Sequence, residues 1–334
     1  MSWDHDAPPP AWVPALALGA AIYRGGLAMR RAAYAIGLIR PERAAVPVIS
    51  VGNLTAGGNG KTPLVIDLVE RLRARGRTPA VVTRGYGAPN PTGIMVVGPT
   101  TSWREAGDEP VLIARRTDAL VIVSPDRARG AELAVDRGAD VIVLDDGFQH
   151  WRLARTLDLV LVDARLPFSN GHVLPWGRLR EPRSALSRAN LIIAHRGDVS
   201  APASLGALTA DVEVAIEVLG LDAGGQSLDL ASLRGMKVAL AAGIARPERL
   251  VATVRTLGAE IVATHFVADH APIDPAALRG LAARADRVIV TEKDAVRLLS
   301  DAPVAVLSIA LVVLTGEDAL ESAIGAALSA RAIG

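Results

Sequence analysis

The chain has 334 residues, half of them hydrophobic, and its 36 basic against 35 acidic side chains leave a net charge of +1. That length suggests about two domains with full cores, and the charge balance argues against the broad basic field of a nucleic-acid binder. The absence of cysteine and an aromatic content of only 3% exclude disulfides, zinc–cysteine sites and thiol nucleophiles, fit a reducing compartment, and disfavour stacking platforms for bases.

The segment Ala11–Tyr23 ("AWVPALALGAAIY") is apolar and uncharged, but its 13 residues fall short of the ~20 needed to span a bilayer. Arg24, Arg30 and Arg31 follow among Leu27, Met29, Tyr34, Ile36, Leu38 and Ile39, which is the pattern of an interfacial helix with its cations at headgroup level. Asp4 and Asp6 ahead of the apolar run, with arginines behind it, are the wrong order for a secretory signal. Residues 1–40 therefore predict a membrane-associated helical segment, with a helix docked on the protein's own core as the alternative.

From residue 41 short apolar runs alternate with helical periodicity: Val46–Val51, Ala80–Val82, Leu120–Val123, Val141–Leu144, Leu157–Val162 and Leu191–Ala194. Unbroken runs are those of parallel strands buried on both faces by crossover helices. Residues 41–205 thus predict a doubly wound α/β domain of the P-loop NTPase type, with ligands at the carboxyl ends of the strands. The sequence loosens between 198 and 235 around one strand, Val212–Leu219. Beyond it Val238–Ala242, Ile261–Ala263, Val288–Val290 and Val304–Ile309, interleaved with helices such as Pro247–Leu257 and Pro275–Ala283, predict a smaller α/β domain over 206–334. A last helix, Glu317–Ala330, fits against either domain.

Behind the first strand stands "VGNLTAGGNGKTP". Thr55-Ala56-Gly57-Gly58-Asn59-Gly60-Lys61-Thr62 fits a phosphate loop at its Gly-Lys-Thr end, whereas Thr55 occupies the place of the pattern's first glycine. The glycines let successive N–H groups turn toward a polyphosphate, and the helix over Leu64–Arg75 adds positive potential at its N-terminus. Lys61 then reaches the outer phosphates and Thr62 a Mg²⁺ ion. The strand Val141–Leu144 ends in Asp145-Asp146, where a nucleotide site holds its metal. Asp108, in "AGDEP", reads more readily as a helix cap than as a general base. Arg84 and Tyr86 in "TRGYG", Arg127 after Pro125-Asp126, Arg180-Glu181 in "LREP", Asp269-His270 and "TEKD" at 291–294 also stand at strand or helix ends, each a weak sign alone. Zinc-ligand spacings and a nucleophile elbow are absent.

Taken in order, "VGNLTAGGNGKTP", "TRGYG", "GDEP", "DRARGAELA", "VIVLDDGFQHWRLARTLDLVLVDA", "LPWGRLREP", "AGIARPERL", the Asp269-His270 pair and "VIVTEKDA" resemble the tetraacyldisaccharide 4′-kinases, the lipid A 4′-kinase family of Gram-negative bacteria, across residues 45–295. Thr55 is usual in that family. The resemblance implies transfer of the ATP γ-phosphate, with Mg²⁺, to the 4′-hydroxyl of an acylated glucosamine disaccharide 1-phosphate. It places the enzyme on the cytoplasmic face of the inner membrane, held there by its N-terminal helix, with no obligate protein partner and no nucleic acid. It further implies Lys61 as the phosphate-binding lysine, Thr62, Asp145 and Asp146 as metal ligands, and Arg180 and Glu181 as charge partners beside the nucleotide. Asp108 becomes the catalytic base and His270 its partner from the second domain, while Tyr86, Arg127 and His150 become headgroup contacts. The chain departs from the family around 267–273, where Val267-Ala268 and Ala271-Pro272-Ile273 flank Asp269-His270 in place of more aromatic and histidine character. Two other readings stay open: a membrane-associated P-loop ATPase switch acting through a protein partner, and a non-enzymatic lipid-binding protein on a degenerate nucleotide fold.

Overall fold

The apolar runs between residues 46 and 162 are strands buried on both faces, because helices cover each side of the sheet they form. The computed structural model describes residues 10–57, 60–85, 93–198, 205–206, 208–298 and 304–330. Its first half runs α1 (Val13–Ala35), β1 (Val48–Asn53), α2 (Lys61–Ala74), β2 (Pro79–Thr83), β3 (Met95–Val97), α3 (Trp103–Ala106), α4 (Asp108–Arg116), β4 (Leu120–Val123), α5 (Arg127–Asp136), β5 (Val141–Asp145), β6 (Leu157–Asp163) and β7 (Leu191–Asp198). The second half runs β8 (Val212–Ala223), β9 (Gln226–Leu228), β10 (Lys237–Ala242), α6 (Pro247–Thr256), β11 (Glu260–Phe266), α7 (Pro275–Ala282), β12 (Arg287–Thr291), α8 (Glu292–Ala295), β13 (Ala305–Thr315) and α9 (Glu317–Ser329).

The 13 described strands make one sheet in the order β11-β10-β12-β13-β8-β7-β6-β1-β5-β2-β4-β3, with β9 folded back onto β8. Pairing is parallel except at β3–β4, β8–β13 and β8–β9. The sequence reading separates two α/β units, yet their strands share this sheet: β8 pairs in parallel with β7 and antiparallel with β13. Along β1, Ile49 and Val51 pack with Leu64, Leu68 and Leu72 of α2, whereas Val48 packs with Ala128, Ala131 and Ala134 of α5. Each fully buried leucine contributes about 1.5–3 kcal/mol, and the spacing of four residues along α2 points all three at the sheet. This clamps the loop between β1 and α2 at the carboxyl edge, where the polar motifs lie.

The last helix leaves the strands that precede it and closes over the first half. Leu320, Ile324 and Ala327 join the core built around α2, and Arg71 of α2 bonds Asp67 at 2.6 Å and also Glu317 and Glu321 of α9. Helix α1 is attached differently. Only Ala20 is buried on it, while Leu18, Ile22 and Met29, and beyond its end Ile36 and Leu38, are exposed. It is held by the Tyr23 hydroxyl donating to the Arg180 carbonyl at 2.9 Å and by Arg30, which donates to the Gln149 carbonyl at 2.6 Å and lies over the Trp151 ring. Among the described residues no helix is long and apolar enough to cross a membrane.

Candidate active site

The glycine-rich loop is pinned at its start. Thr55 bridges to Leu179, and the Ala56 amide donates to the Arg178 carbonyl at 2.7 Å while the Arg178 Nε returns a bond to the Ala56 carbonyl at 3.2 Å. Gly57 has φ 116°, a conformation side chains resist, and a Cβ there would lie 2.6 Å from Arg178 Nη2 and push that guanidinium aside. Gly60 opens α2 with φ 80°, a left-handed conformation that side chains resist. Gly58, Asn59 and Tyr86 lie outside the described residues.

Lys61, the first residue of α2, puts its Nζ 3.4 Å from Asp146 Oδ1, and Thr62 follows it, partly buried, in the first turn. Asp145 ends β5, where Oδ2 accepts from the Thr83 hydroxyl at 2.9 Å and Oδ1 is buried without a partner. Burial, then the charges of Glu109 and Asp146, push its carboxyl up to about 6. Asp146 has φ 53° and receives Arg180 Nη1 on both oxygens, at 2.8 and 2.7 Å. Burial alone would raise Asp146, but Lys61 and Arg180 hold it below the usual carboxylate range. Glu181 does not join this group: its carboxylate faces the other way, on Arg188 at 2.9 Å.

A second cluster joins the two halves of the chain. Asp108 is the first residue of α4, buried, with Gly107 rather than itself in the cap position. His270 Nδ1 stands 3.0 Å from each Asp108 oxygen, Arg297 Nη1 is 3.3 Å from Oδ2, and the Glu109 amide donates to Oδ1 at 2.9 Å. Burial would raise the Asp108 carboxyl; the hydrogen bond from His270 and the charges of Lys293, His270 and Arg297 outweigh it and hold it low. His270 has φ 63° and donates its amide to the Gly243 carbonyl. A Cβ on Gly243 would fall 2.8 Å from the Ala271 carbonyl oxygen, which is why the turn after β10 can pass under this loop. Lys293 bonds Glu109 at 3.2 Å and Asp269 and His270 Nε2 at 3.4 Å, and Arg297 is shared between Asp108, Asp294 and the Gly243 carbonyl.

Arg127 and His150 sit apart from both clusters in direct bonds. Arg127 opens α5 almost fully buried, within the field of Asp146 and Asp145. Burial, then Arg127 and Arg155, push the His150 imidazole down to about 4, so it is neutral near pH 7. A cavity of about 510 Å³ is lined by Gly60, Lys61 and Thr62 and also by Glu109, Asp269 and Lys293. Sequence alone gives no role to Arg178, His195 or Arg297 and marks Lys293 only as part of "TEKD". Arg178 and Lys293 stand inside "LPWGRLREP" and "VIVTEKDA", and that position is the available signal; His195 follows the strand-like run Leu191–Ala194, and Arg297 lies beyond the last motif.

An α/β protein that gathers a lysine, paired carboxylates and a carboxylate–histidine pair at the carboxyl edge of a mostly parallel sheet has the equipment of a phosphoryl-transfer enzyme. The family model described as tetraacyldisaccharide-1-P 4′-kinase, LpxK, matches residues 12–329. The tetraacyldisaccharide 4′-kinase of Anaeromyxobacter sp. (strain K) is 41% identical over 360 residues, covering 98% of this chain and 95% of its own. That of Vibrio vulnificus (strain YJ016) is 42% identical over 289 residues, covering 86% and 82%. The crystal structure of the "apo" form of LpxK from Aquifex aeolicus in complex with ATP is similar at a TM-score of 0.78 and 26% identity, over 95% of this chain and 98% of that one. The chain belongs to the tetraacyldisaccharide-1-P 4′-kinase family.

Proposed function

We propose that this chain transfers the terminal phosphate of ATP to the 4′-hydroxyl of tetraacyldisaccharide 1-phosphate, a phosphotransfer to an alcohol. The observation that carries the reading is one shared cavity, lined at once by Gly60–Thr62 and by Glu109 and Asp269, the residues flanking Asp108 and His270. The phosphate chain lies at the N-terminus of α2, where backbone N–H groups and Lys61 meet its charge. Mg²⁺ fits the residues present: Asp145 Oδ1 is buried and unpartnered, and Thr62, Asp145 and Asp146 offer only oxygen donors, as a hard cation prefers. Held by these residues, the ion would supply positive charge against the phosphates of the nucleotide.

In the transfer, a bond forms between the 4′-oxygen and the γ-phosphorus as the bond from that phosphorus to the β,γ-bridging oxygen breaks. Asp108 takes the hydroxyl proton and ADP leaves. A carboxylate held below its usual range is a weak base, but the transition state of phosphoryl transfer is loose and asks more of positioning than of basicity. His270 and Arg297 supply that positioning. Residues 41–205 then act as the nucleotide-binding unit, and residues 206–334, the smaller unit, bring His270 against Asp108. The exposed apolar face of α1 lies on the cytoplasmic face of the inner membrane, beside Arg24 and Arg31, and Tyr86, Arg127 and His150 meet the lipid headgroup.

The test is transfer of γ-labelled phosphate from Mg-ATP with and without detergent-solubilised tetraacyldisaccharide 1-phosphate, with Lys61→Ala as the blank. Label on the lipid that disappears in Lys61→Ala is the expected result. Label released only as inorganic phosphate, indifferent to lipid, would overturn the proposal in favour of a partner-driven ATPase.

A further inference from the structure

His195, near the end of β7, is 2% exposed, and neither of its ring nitrogens has a hydrogen-bond partner. A neutral imidazole carries one N–H donor and one acceptor, and a buried polar group without a partner lowers stability and requires an explanation. The protein groups around it offer none. Asp163, the nearby carboxylate, is occupied by Arg246, by Arg249 at 3.0 Å and by the Arg165 amide at 2.9 Å. The backbone of His195 is committed as well, its carbonyl accepting from the Ala164 amide at 3.0 Å.

The ring is aimed at the start of α2. A Cβ on Gly60 would lie 2.9 Å from Nε2, 3.0 Å from Cδ2 and 3.4 Å from Cε1, so Nε2 leads. Gly60 is therefore required twice, once for its φ of 80° and once for this close approach. His195 also lines the same cavity of about 510 Å³ as Gly60, Lys61 and Thr62. A buried polar atom with no partner among the protein groups around it, facing a ligand cavity across a glycine, is a group whose partner arrives with the ligand.

We infer that His195 is a nucleotide-binding residue whose Nε2 gains its hydrogen bond only from nucleotide lying in the cavity beside Gly60. The inference rests on the ATP reading of the loop and adds to it a contact from β7, outside every motif that marks the loop. Its consequence is a trade in which the free protein is less stable than its shape allows and the bound one recovers the loss.

His195→Leu and His195→Gln, made in the full chain, test it. Melting temperature is measured without ligand, with Mg-ATP and with Mg-tripolyphosphate, and kcat and KM for ATP are measured alongside. His195→Leu is expected to keep or raise the ligand-free melting temperature, because an apolar side chain replaces an unpaired polar one. It is also expected to raise KM for ATP about tenfold, the scale of one lost hydrogen bond, with kcat nearly unchanged. His195→Gln, which can still donate, is expected to recover most of that affinity. A loss shared by ATP and tripolyphosphate puts the bond on the phosphate chain; a loss confined to ATP puts it on the nucleoside, and both support the inference. Equal ATP-induced shifts in wild type and His195→Leu would overturn it alone, as would a lowered ligand-free melting temperature with unchanged KM, the mark of a purely structural histidine. No ATP-induced shift in the wild type would overturn the loop reading first and this inference with it.

Discussion

At the glycine-rich-loop end of the cavity the charges are unevenly matched: Asp146 holds Arg180 on both oxygens at 2.8 and 2.7 Å. Asp145 keeps one oxygen unpaired and is pushed up to about 6, and Lys61 reaches Asp146 at 3.4 Å. At the other end Asp108 has His270 on both oxygens at 3.0 Å, Arg297 at 3.3 Å and a backbone amide at 2.9 Å, and its carboxyl is held low. Asp145 and Lys61, which would trade partners for a ligand on the proposed reading, are left with loose ones, whereas Asp108, which would have to hold its geometry, is satisfied in advance. On the proposed function, the binding end waits for its substrate and the base end is already built. The same contrast runs through the chain: the first cluster comes from strand ends of one half, while the second joins residues 162 positions apart.

This comparison is sharpened most by the two substitutions with the largest expected effects. Lys61→Ala should reduce turnover by about 10³-fold or more, because the developing phosphate charge loses its fixed cation; a near-normal rate would remove the loop from the chemistry. Asp108→Asn should lower kcat by about 10²–10⁴-fold while KM for ATP stays near its original value. If KM rose and kcat did not fall, the base end would be a second binding end and the contrast would collapse.

Arg297→Met probes the preformed cluster through stability. It leaves the Asp108 and Asp294 carboxylates buried with one cation fewer, at a cost of about 3–5 kcal/mol, read as a shift in the urea midpoint. A change under about 1 kcal/mol, the scale of an exposed pair, would mean the cluster is not tightly built.

The smallest effect is a pH dependence. His150 and His195 titrate near 4 in the folded protein against about 6.5 unfolded. Between those values the unfolded chain binds their protons and the folded one does not, so this contribution is full above about pH 6.5 and is lost as pH falls toward 4. Asp145 opposes them: its folded form, titrating at about 6, binds a proton more tightly than the unfolded chain, and its contribution is lost as pH rises through that value. The melting temperature should therefore fall from pH 6.5 to 4, and fall less in His195→Leu. An identical slope in that variant would show that His195 does not titrate as its burial requires.

The binding end was largely legible because its residues lie in contiguous motifs: a strand, a glycine-rich turn and a helix for Lys61 and Thr62, a strand terminus for Asp145 and Asp146. Glu181 was placed there by its neighbour Arg180, but the chain turns between them and sends the two side chains to different partners. At the base end, spacing alone left Asp108 as a cap or a base, and only the family resemblance paired it with His270. Arg297 carried no local signal because the helix it follows, α8, spans only four residues. His195 stands just beyond the strand-like run Leu191–Ala194, outside every motif, and only the structure carries the strand on through it. The long β8–β13 ladder and the return of α9 onto α2 depend on contacts across the whole chain, which no window of sequence contains.

The most direct measurement is kcat for Asp108→Asn, His270→Gln and the double variant on tetraacyldisaccharide 1-phosphate. Residues that act as one unit lose their function together, so the double variant is predicted to be no slower than Asp108→Asn alone. Losses that multiply would contradict the account, because they would mean that Asp108 and His270 act separately and that the junction between the two halves is not the base.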